Sequence, residues 1–230
     1  MEENREIKNS GFGLRDFYIG IYKWMTMGVL VSGIFAYIAT QTTYLSFVFA
    51  NPIYFYAIVG IEIALMLGIQ FMIKKLSPQV AIMLFMVYAA LNGITLAGFF
   101  AMYDVSSILS VFIGAVILFV TLAVLGYTTK VNLSSWGTYL AVSTWVIFIT
   151  SILNAFVFQS NMLDMIVSAV ALLVFGALTI YDNQAYKNIF YSVEGNDEEE
   201  QRYTALGALH MYINFIMIFT NLLRFLGNND

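Results

Sequence analysis

The chain has 230 residues, of which 60% are hydrophobic and only 10% are charged. A water-soluble globule of this length needs more polar surface, so the composition excludes a soluble domain and indicates a protein whose solvent is largely lipid. The net charge of -4 comes mostly from one run, Glu194 to Glu200, which predicts a solvated acidic loop and no nucleic-acid partner. The absence of cysteine excludes disulfides and thiolate metal sites.

Seven mostly apolar stretches follow one another along the chain, each close to the length of about 20 residues that an α-helix needs to cross a bilayer. The predicted spans are Trp24 to Thr40, Ile53 to Ile73, Gln79 to Met102, Val105 to Tyr127, Trp136 to Phe158, Met162 to Tyr181 and Thr204 to Leu226. The pattern therefore predicts an all-α membrane protein with seven transmembrane helices. We expect a cytoplasmic segment at 1–23, a transmembrane domain at 24–227 and an external tail at 228–230.

The basic residues predict the orientation of the chain. Nine of the ten Lys and Arg residues precede the first span or follow the second, fourth and sixth spans. Only Arg224 lies at the other side, where we expect its side chain to extend to the membrane interface. The positive-inside rule then predicts a cytoplasmic amino terminus and an external carboxyl terminus. The compact chain and short loops favour a multi-pass protein of a bacterial plasma membrane, with the lipid bilayer as its first partner.

Small residues recur at every fourth position in two spans. They are Gly60, Ala64 and Gly68 in the second span and Gly93, Ala97 and Ala101 in the third. Small residues at this spacing let two helix backbones approach closely. We expect both sets to pack helices of the same chain against one another, and a dimerisation face is the less favoured alternative.

Glu62 lies near the middle of the second span. An ionised side chain at that depth costs from about 2.5 kcal/mol upward, so Glu62 must be protonated, paired with a group on another helix, or in contact with water. A structural carboxyl group and a group on an ion path are equally favoured interpretations. Asn92 and Asn154, in the third and fifth spans, are expected to form hydrogen bonds between helices.

Asp182 and Asn214 are predicted to meet near the cytoplasmic side. If the sixth helix continues to Tyr191 and the seventh begins near Thr204, a rise of about 1.5 Å per residue places both side chains about 13 to 15 Å from the same end. His210, the only histidine, lies one turn before Asn214 on the same helix face. A histidine can change charge near neutral pH, so His210 is either a structural hydrogen-bonding group or a pH-sensitive neighbour of Asp182.

Several enzyme and receptor classes do not fit these residues. A retinal protein needs a lysine in its last helix, and the seventh span has none. The chain has no G-x-S-x-G motif and no cluster of His and Cys for zinc. An aspartyl protease needs two adjacent carboxylates, whereas Glu62 lies many turns from Asp182 in depth. We therefore expect no enzyme activity, no cofactor and no metal site.

Three segments resemble the transmembrane BAX inhibitor motif family, also called BAX inhibitor-1-like proteins. They are Asn92 to Leu96 in the third span, Ile180 to Gln184 at the end of the sixth, and Leu209 to Gly227 in the seventh. The similarity extends over all seven spans. The resemblance implies six helices arranged around a central seventh helix. It also implies a calcium-permeable leak pathway in which two aspartates near the cytoplasmic end, from the sixth and seventh helices, share a proton and sense pH.

The resemblance assigns roles to individual residues. Asp182 matches the first of the two aspartates, but Asn214 occupies the position of the second. Glu62 corresponds to an acidic position in the second helix, and Lys74 and Lys75 correspond to a basic cluster that would act as a latch at its cytoplasmic end. Two facing carboxylates titrate as a coupled pair, whereas an aspartate facing an asparagine has no like-charge partner. Weaker pH sensing is therefore expected.

Two functions follow from these expectations. The first is a cation leak channel, with calcium as the permeant ion, Asp182 as a gate or filter carboxylate, and Glu62 on or beside the path. The alternative is a regulatory protein that associates with another membrane protein, such as a membrane-anchored protease. A transporter is less favoured, because no pair of helices is interrupted by glycine or proline. A water-filled path lined by charged groups favours transport, whereas a dry bundle with hydrogen-bonded carboxyl groups favours association.

Overall fold

The computed structural model describes residues 13–51 and 53–227. Within these ranges the chain forms eight α-helices and no β-strand. The helices are α1 (Leu14–Thr40), α2 (Tyr44–Ala50), α3 (Ile53–Met72), α4 (Pro78–Met102), α5 (Val105–Thr128), α6 (Trp136–Leu153), α7 (Asn161–Val193) and α8 (Asp197–Leu226). A 3₁₀ turn at Ile73–Lys75 extends α3, and a π-helical turn at Asn154–Phe158 extends α6. The predicted all-α fold is confirmed.

Seven of these helices, all except the short α2, are long and apolar enough to cross a membrane over the part of the chain that is described. They correspond in order to the seven predicted spans. Residues 1–12 of the predicted cytoplasmic segment and the predicted external tail, 228–230, lie outside the described residues.

The ends of the seven spans alternate between two sides, because short connections join consecutive helices. One side of the bundle carries Lys74, Lys75, Lys130 and Lys187, and we call it the lysine end. The opposite side carries Arg224, and we call it the arginine end.

The first helix begins earlier than predicted, at Leu14 instead of Trp24. Charged side chains in its first turns lower the local hydropathy, so the hydropathy pattern placed the start of this helix too far along the chain. Phe17 and Ile21 are nevertheless fully buried, and the Phe17 ring lies 5.4 Å from the Phe190 ring of α7. Packing against the lysine end of α7 therefore extends the helix beyond its apolar segment.

A tight turn joins α7 and α8. Gly195 has a positive φ of 88°, a conformation that glycine adopts without steric cost. Asn196 caps α8, because its side chain accepts a hydrogen bond from the backbone N–H of Glu199 at 3.2 Å. We predicted that the acidic run from Glu194 to Glu200 is a solvated loop. Glu194 lies in this exposed turn, but Asp197 to Glu200 form the first turn of α8, where negative side chains stabilise a helix. Glu200 is fully buried and accepts the Gly195 N–H at 2.9 Å.

The most buried helix of the bundle is α8. Leu209, Met211, Tyr212 and Ile218 have no exposed surface. The helix packs against α1, α4, α5 and α7, and also against α3. These contacts agree with a central seventh helix, and a complete ring of six helices around it stays a prediction.

The two sets of small residues have different surroundings. At Gly93 of α4, a Cβ atom would lie 2.3 Å from the backbone oxygen of Ser32, so α1 and α4 are in close contact there. At Gly60 and Gly68 of α3, a Cβ atom would meet nothing within 4 Å among the described residues, and Gly60 and Ala64 are exposed. The expectation of packing within the chain is correct for α4 and wrong for α3.

Candidate functional site

Asp182 of α7 and Asn214 of α8 face each other. The side-chain amide of Asn214 donates a hydrogen bond to Oδ2 of Asp182 at 2.7 Å. Asn214 is buried, and Asp182 is partly exposed. The predicted contact between the two residues is therefore present. An amide N–H can donate to a carboxyl oxygen whether or not the carboxyl group carries a proton, so this bond persists in both charge states of Asp182.

His210 lies one turn from Asn214 on α8. Its Nδ1 atom is 2.9 Å from the hydroxyl oxygen of Tyr186, a buried residue on α7. His210 is also close enough to Asp182 for the two groups to interact electrostatically. The hydrogen bond agrees with the structural interpretation of His210, and the proximity to Asp182 agrees with the pH-sensitive one.

Asn183, the residue after Asp182, is held by α1, and the sequence reasoning missed this contact. Tyr22 donates a hydrogen bond to the Asn183 side-chain oxygen at 2.5 Å, and Tyr18 donates one to the Asn183 backbone oxygen at 2.5 Å. The Asn183 amide donates to the backbone oxygen of Thr179 at 2.8 Å. Tyr18 and Tyr22 are four residues apart and share a helix face, and this spacing was the available signal. The position of Asp182 is thus fixed from α1 as well as from α8.

The close approach of α5 fixes the same part of α7. A Cβ atom at Gly126 would lie 2.4 Å from the backbone oxygen of Ile180 and 2.8 Å from Cβ of Asn183. Only a glycine permits this contact. Three helices, α1, α5 and α8, therefore surround the segment that carries Asp182.

The predicted basic latch does not contact this site. Lys74 and Lys75 lie in the exposed 3₁₀ turn after α3, and neither takes part in an ion pair with any described residue. The residue that follows this 3₁₀ turn, Leu76, is bound by Arg202 of α8, whose Nε atom donates a hydrogen bond to the Leu76 backbone oxygen at 2.7 Å. The contact ties the lysine end of α3 to α8.

Glu62 belongs to a second, separate hydrogen-bond network. The Asn92 amide donates to one carboxyl oxygen of Glu62 at 3.0 Å, and the Thr95 hydroxyl contacts the other. Tyr212 donates to the Asn92 side-chain oxygen at 2.9 Å, and its hydroxyl lies 2.5 Å from that of Ser32. The network links α3, α4, α8 and α1. The predicted interhelical role of Asn92 is confirmed, and Glu62 is buried with both oxygens hydrogen-bonded.

Two other polar residues behave differently from the predictions. Asn154 closes the turn between α6 and α7 by exchanging two hydrogen bonds with the backbone of Ser160, at 3.1 and 3.0 Å. The predicted bond between helices is therefore wrong. Arg224 donates to Asp164 of α7 at 3.0 Å, so its side chain forms an ion pair as well as lying at the arginine end.

A cavity of about 360 Å³ opens at the arginine end between α5 and α8, and we call it the arginine-end cavity. Its lining includes Asp104, Ser106, Ser107, Ser110, Leu222 and Leu226. Asp182 and Glu62 are not part of this lining. No group of three or more metal-ligating side chains occurs in the described ranges.

Sequence comparison assigns the chain to a family. Residues 14–230 match the profile of the family described as "Inhibitor of apoptosis-promoting Bax1". The chain belongs to this BAX inhibitor motif family of integral, multi-pass membrane proteins. The resemblance seen in the three sequence segments is thereby confirmed.

The relatives that match the chain along most of its length are bacterial. "Inner membrane protein YbhL" of Escherichia coli (strain K12) is 36% identical over 218 residues, which cover 94% of this chain and 93% of the relative. An "Uncharacterized protein" of Borreliella burgdorferi is 34% identical, covering 92% of this chain and 91% of the relative. "Uncharacterized protein RP147" of Rickettsia prowazekii is 32% identical, covering 96% and 94%.

Proposed function

We propose that this protein is an integral membrane channel through which cations, and calcium in particular, leak across the membrane. The observation that carries the proposal is the Asp182–Asn214 contact, in which the carboxyl group of a partly buried residue lies between two long helices of a membrane bundle. A carboxylate in such a position attracts and coordinates cations, as acidic side chains do in cation channels. Asp182 is the gate or filter carboxylate, and Glu62 lies beside the path.

The orientation of the chain follows from its charges. The lysine end carries nearly all the basic residues, so we assign it to the cytoplasm. The amino terminus is then cytoplasmic and the carboxyl terminus external. The membrane is the plasma membrane of a bacterium, in agreement with the name of the relative from Escherichia coli.

We interpret the described conformation as a closed state of the channel. Both oxygens of Glu62 accept hydrogen bonds, and Asn214 bonds Asp182 across the α7–α8 interface. The arginine-end cavity does not extend to either carboxyl group. Conduction then requires α7 and α8 to separate at the Asp182–Asn214 contact.

The test is reconstitution of the purified protein into calcium-loaded vesicles. We expect calcium efflux above that of protein-free vesicles, and a lower efflux from the Asp182→Asn variant, because a neutral amide attracts a divalent cation less. Asp164→Asn is the matched control, since it removes an acidic side chain from the exposed arginine end of the same helix. The proposal fails if the protein leaves vesicles as impermeable as empty ones, or if both variants lower the efflux equally.

A second candidate function is the regulation of another membrane protein, such as a membrane-anchored protease. Two observations favour it: the fully hydrogen-bonded Glu62, which fits a dry bundle, and the exposed small residues Gly60 and Ala64 on α3. An exposed face of small residues lets another helix approach closely. The chain has no natural cysteine, so a Gly60→Cys variant can be cross-linked in native membranes, with Ile117→Cys on the exposed face of α5 as control. A protease cross-linked only to Gly60→Cys, together with impermeable vesicles, would favour this function.

A further inference from the structure

The arginine-end cavity is polar on one wall and lies far from Asp182. The wall from α5 carries three serine side chains, including Ser110, together with Val111 and Gly114, and the wall from α8 carries Leu222 and Leu226. Its volume of about 360 Å³ has room for roughly ten water molecules, at about 30 Å³ each. Asp104 adds a negative charge to its margin, where α5 begins.

A cluster of four aromatic rings joins α5 to α8 next to this cavity, and we call it the Phe cluster. It consists of Phe112 and Phe119 of α5 and Phe215 and Phe219 of α8. The Phe112 ring lies 5.6 Å from the Phe215 ring and 5.8 Å from the Phe219 ring, and the Phe119 ring lies 5.6 Å from the Phe215 ring. All three pairs pack edge to face. The rings of Phe119, Phe215 and Phe219 are buried, and that of Phe112 is partly buried.

Three rings of the Phe cluster, those of Phe119, Phe215 and Phe219, lie deeper in the bundle than the cavity lining, whereas Phe112 lies between the lining residues Val111 and Gly114. Along α8, Leu222 lines the cavity, Phe219 and Phe215 follow one turn apart, and Asn214 is the next residue toward the lysine end. Leu222 lies eight residues after Asn214, which corresponds to about 12 Å along the helix at about 1.5 Å per residue. On the side of α8 that faces α5, the rings of Phe215 and Phe219 fill this depth.

We infer that the arginine-end cavity is the outer vestibule of the cation path and that the Phe cluster is its hydrophobic gate. This inference rests on the proposed function. A hydrated cation loses its water at a constriction of aromatic rings, so the closed cluster blocks conduction without any charged group. Opening moves α8 relative to α5, and this movement also strains the contact between Asn214 and Asp182.

The first test measures calcium efflux from vesicles that contain the full-length protein. Phe219→Ala removes one ring from the cluster, and we expect a rise in efflux of roughly fivefold over the parent, as estimated for the loss of one aromatic pair. Phe85→Ala is the matched control, because Phe85 is fully buried and packs against Tyr212 on another side of α8, with ring centroids 5.5 Å apart. An equal rise for Phe85→Ala would mean general loosening of the bundle and would overturn the gate.

The flux results separate the gate from the channel function. If the parent conducts calcium and Phe219→Ala adds nothing, the channel function stands and the gate is wrong. If neither the parent nor the variants conduct, both proposals are wrong. If the parent is as impermeable as empty vesicles and only Phe219→Ala conducts, the leak function of the parent is wrong, whereas the blocking role of the Phe cluster is supported.

The second test is independent of flux and uses the absence of natural cysteine. A membrane-impermeant thiol reagent is added on the side of the carboxyl terminus to sealed vesicles with single-cysteine variants. We expect labelling of Ser110→Cys in the cavity and none of Asn214→Cys. Adding Phe219→Ala should make Asn214→Cys reactive, whereas adding Phe85→Ala should not. Failure to label Ser110→Cys, or labelling of Asn214→Cys with the Phe cluster intact, would overturn the inference.

Discussion

Replacing Gly126 with alanine should disturb the site from the α5 side. The new Cβ atom would lie 2.4 Å from the backbone oxygen of Ile180, where an ordinary contact begins at 3.4 Å. The nearest atoms belong to the α7 backbone and to Cβ of Asn183, which cannot rotate away. α5 and α7 must therefore separate by about 1 Å, and the separation occurs next to Asp182.

The cost of this separation can be isolated with a matched variant. Overpacking of a buried site typically costs about 1–3 kcal/mol. A glycine-to-alanine change in a helix also gains up to about 1 kcal/mol from helix propensity. Gly114→Ala on the same helix gains the same propensity without a clash, because nothing among the described residues lies within 4 Å of a Cβ atom there. We therefore expect Gly126→Ala to be less stable than Gly114→Ala by about 1–3 kcal/mol.

The assay is reversible unfolding in mixed micelles, followed by tryptophan fluorescence, for the parent and the two alanine variants. Calcium efflux from vesicles is measured for the parent and Gly126→Ala, and we expect this variant to change it, because it displaces the segment before Asp182. Equal unfolding free energies for Gly126→Ala and Gly114→Ala would show that α5 and α7 are not in the described contact.

Two further predictions concern the pH response. Asn214→Asp should make the efflux strongly pH-dependent and higher at higher pH. Two ionised carboxylates about 4 Å apart repel by about 4 kcal/mol at an effective dielectric constant of 20, and this repulsion pushes α7 from α8. A flat profile of efflux against pH in that variant would contradict the facing geometry of Asp182 and residue 214. His210→Gln should flatten the weak pH response of the parent, measured between pH 5 and 8, and an unchanged response would remove His210 from the mechanism.

Depth along the helices was the most predictable property of the site. The rise per residue placed Asp182 and Asn214 at one level, and the structure joins them by a hydrogen bond of 2.7 Å. Asn92 was also predictable, since a buried carboxamide in a membrane helix needs a partner on another helix. In both cases the argument needed only helix geometry and the cost of an unpaired polar group.

Contacts that depend on the direction of a side chain were not predictable in the same way. Tyr18 and Tyr22 count as ordinary aromatic residues in a hydropathy pattern, and only the packing of α1 against α7 brings their hydroxyl groups to Asn183. The small residues of α3 have the spacing of a packed face, but spacing does not say whether a helix lies on that face. Gly60 is exposed, whereas Gly93 with the same spacing is buried.

A turn between two helices explains why the predicted partner of Asn154 differs from the observed one. Asn154 was expected to bond another helix, but the chain reverses at Gln159, which has a positive φ of 47°. This reversal returns Ser160 to the Asn154 side chain, so the amide bonds its own turn. A left-handed residue that is not glycine has little sequence signal, and the local partner was therefore missed.

Asn214 stands where the family resemblance implies a carboxylate, and this difference changes which group can respond to protons at this interface. The Asn214 amide bonds Asp182 in either charge state, so this contact holds α7 against α8 over a wide range of pH. His210 is different, because a protonated imidazole has only N–H donors and Tyr186 must then accept the hydrogen bond. The added positive charge also attracts Asp182 and strengthens the α7–α8 contact. Acid should therefore favour the closed state through His210, and the response should be weaker than that of two coupled carboxylates, because the two groups carry opposite charges and no repulsion has to be relieved.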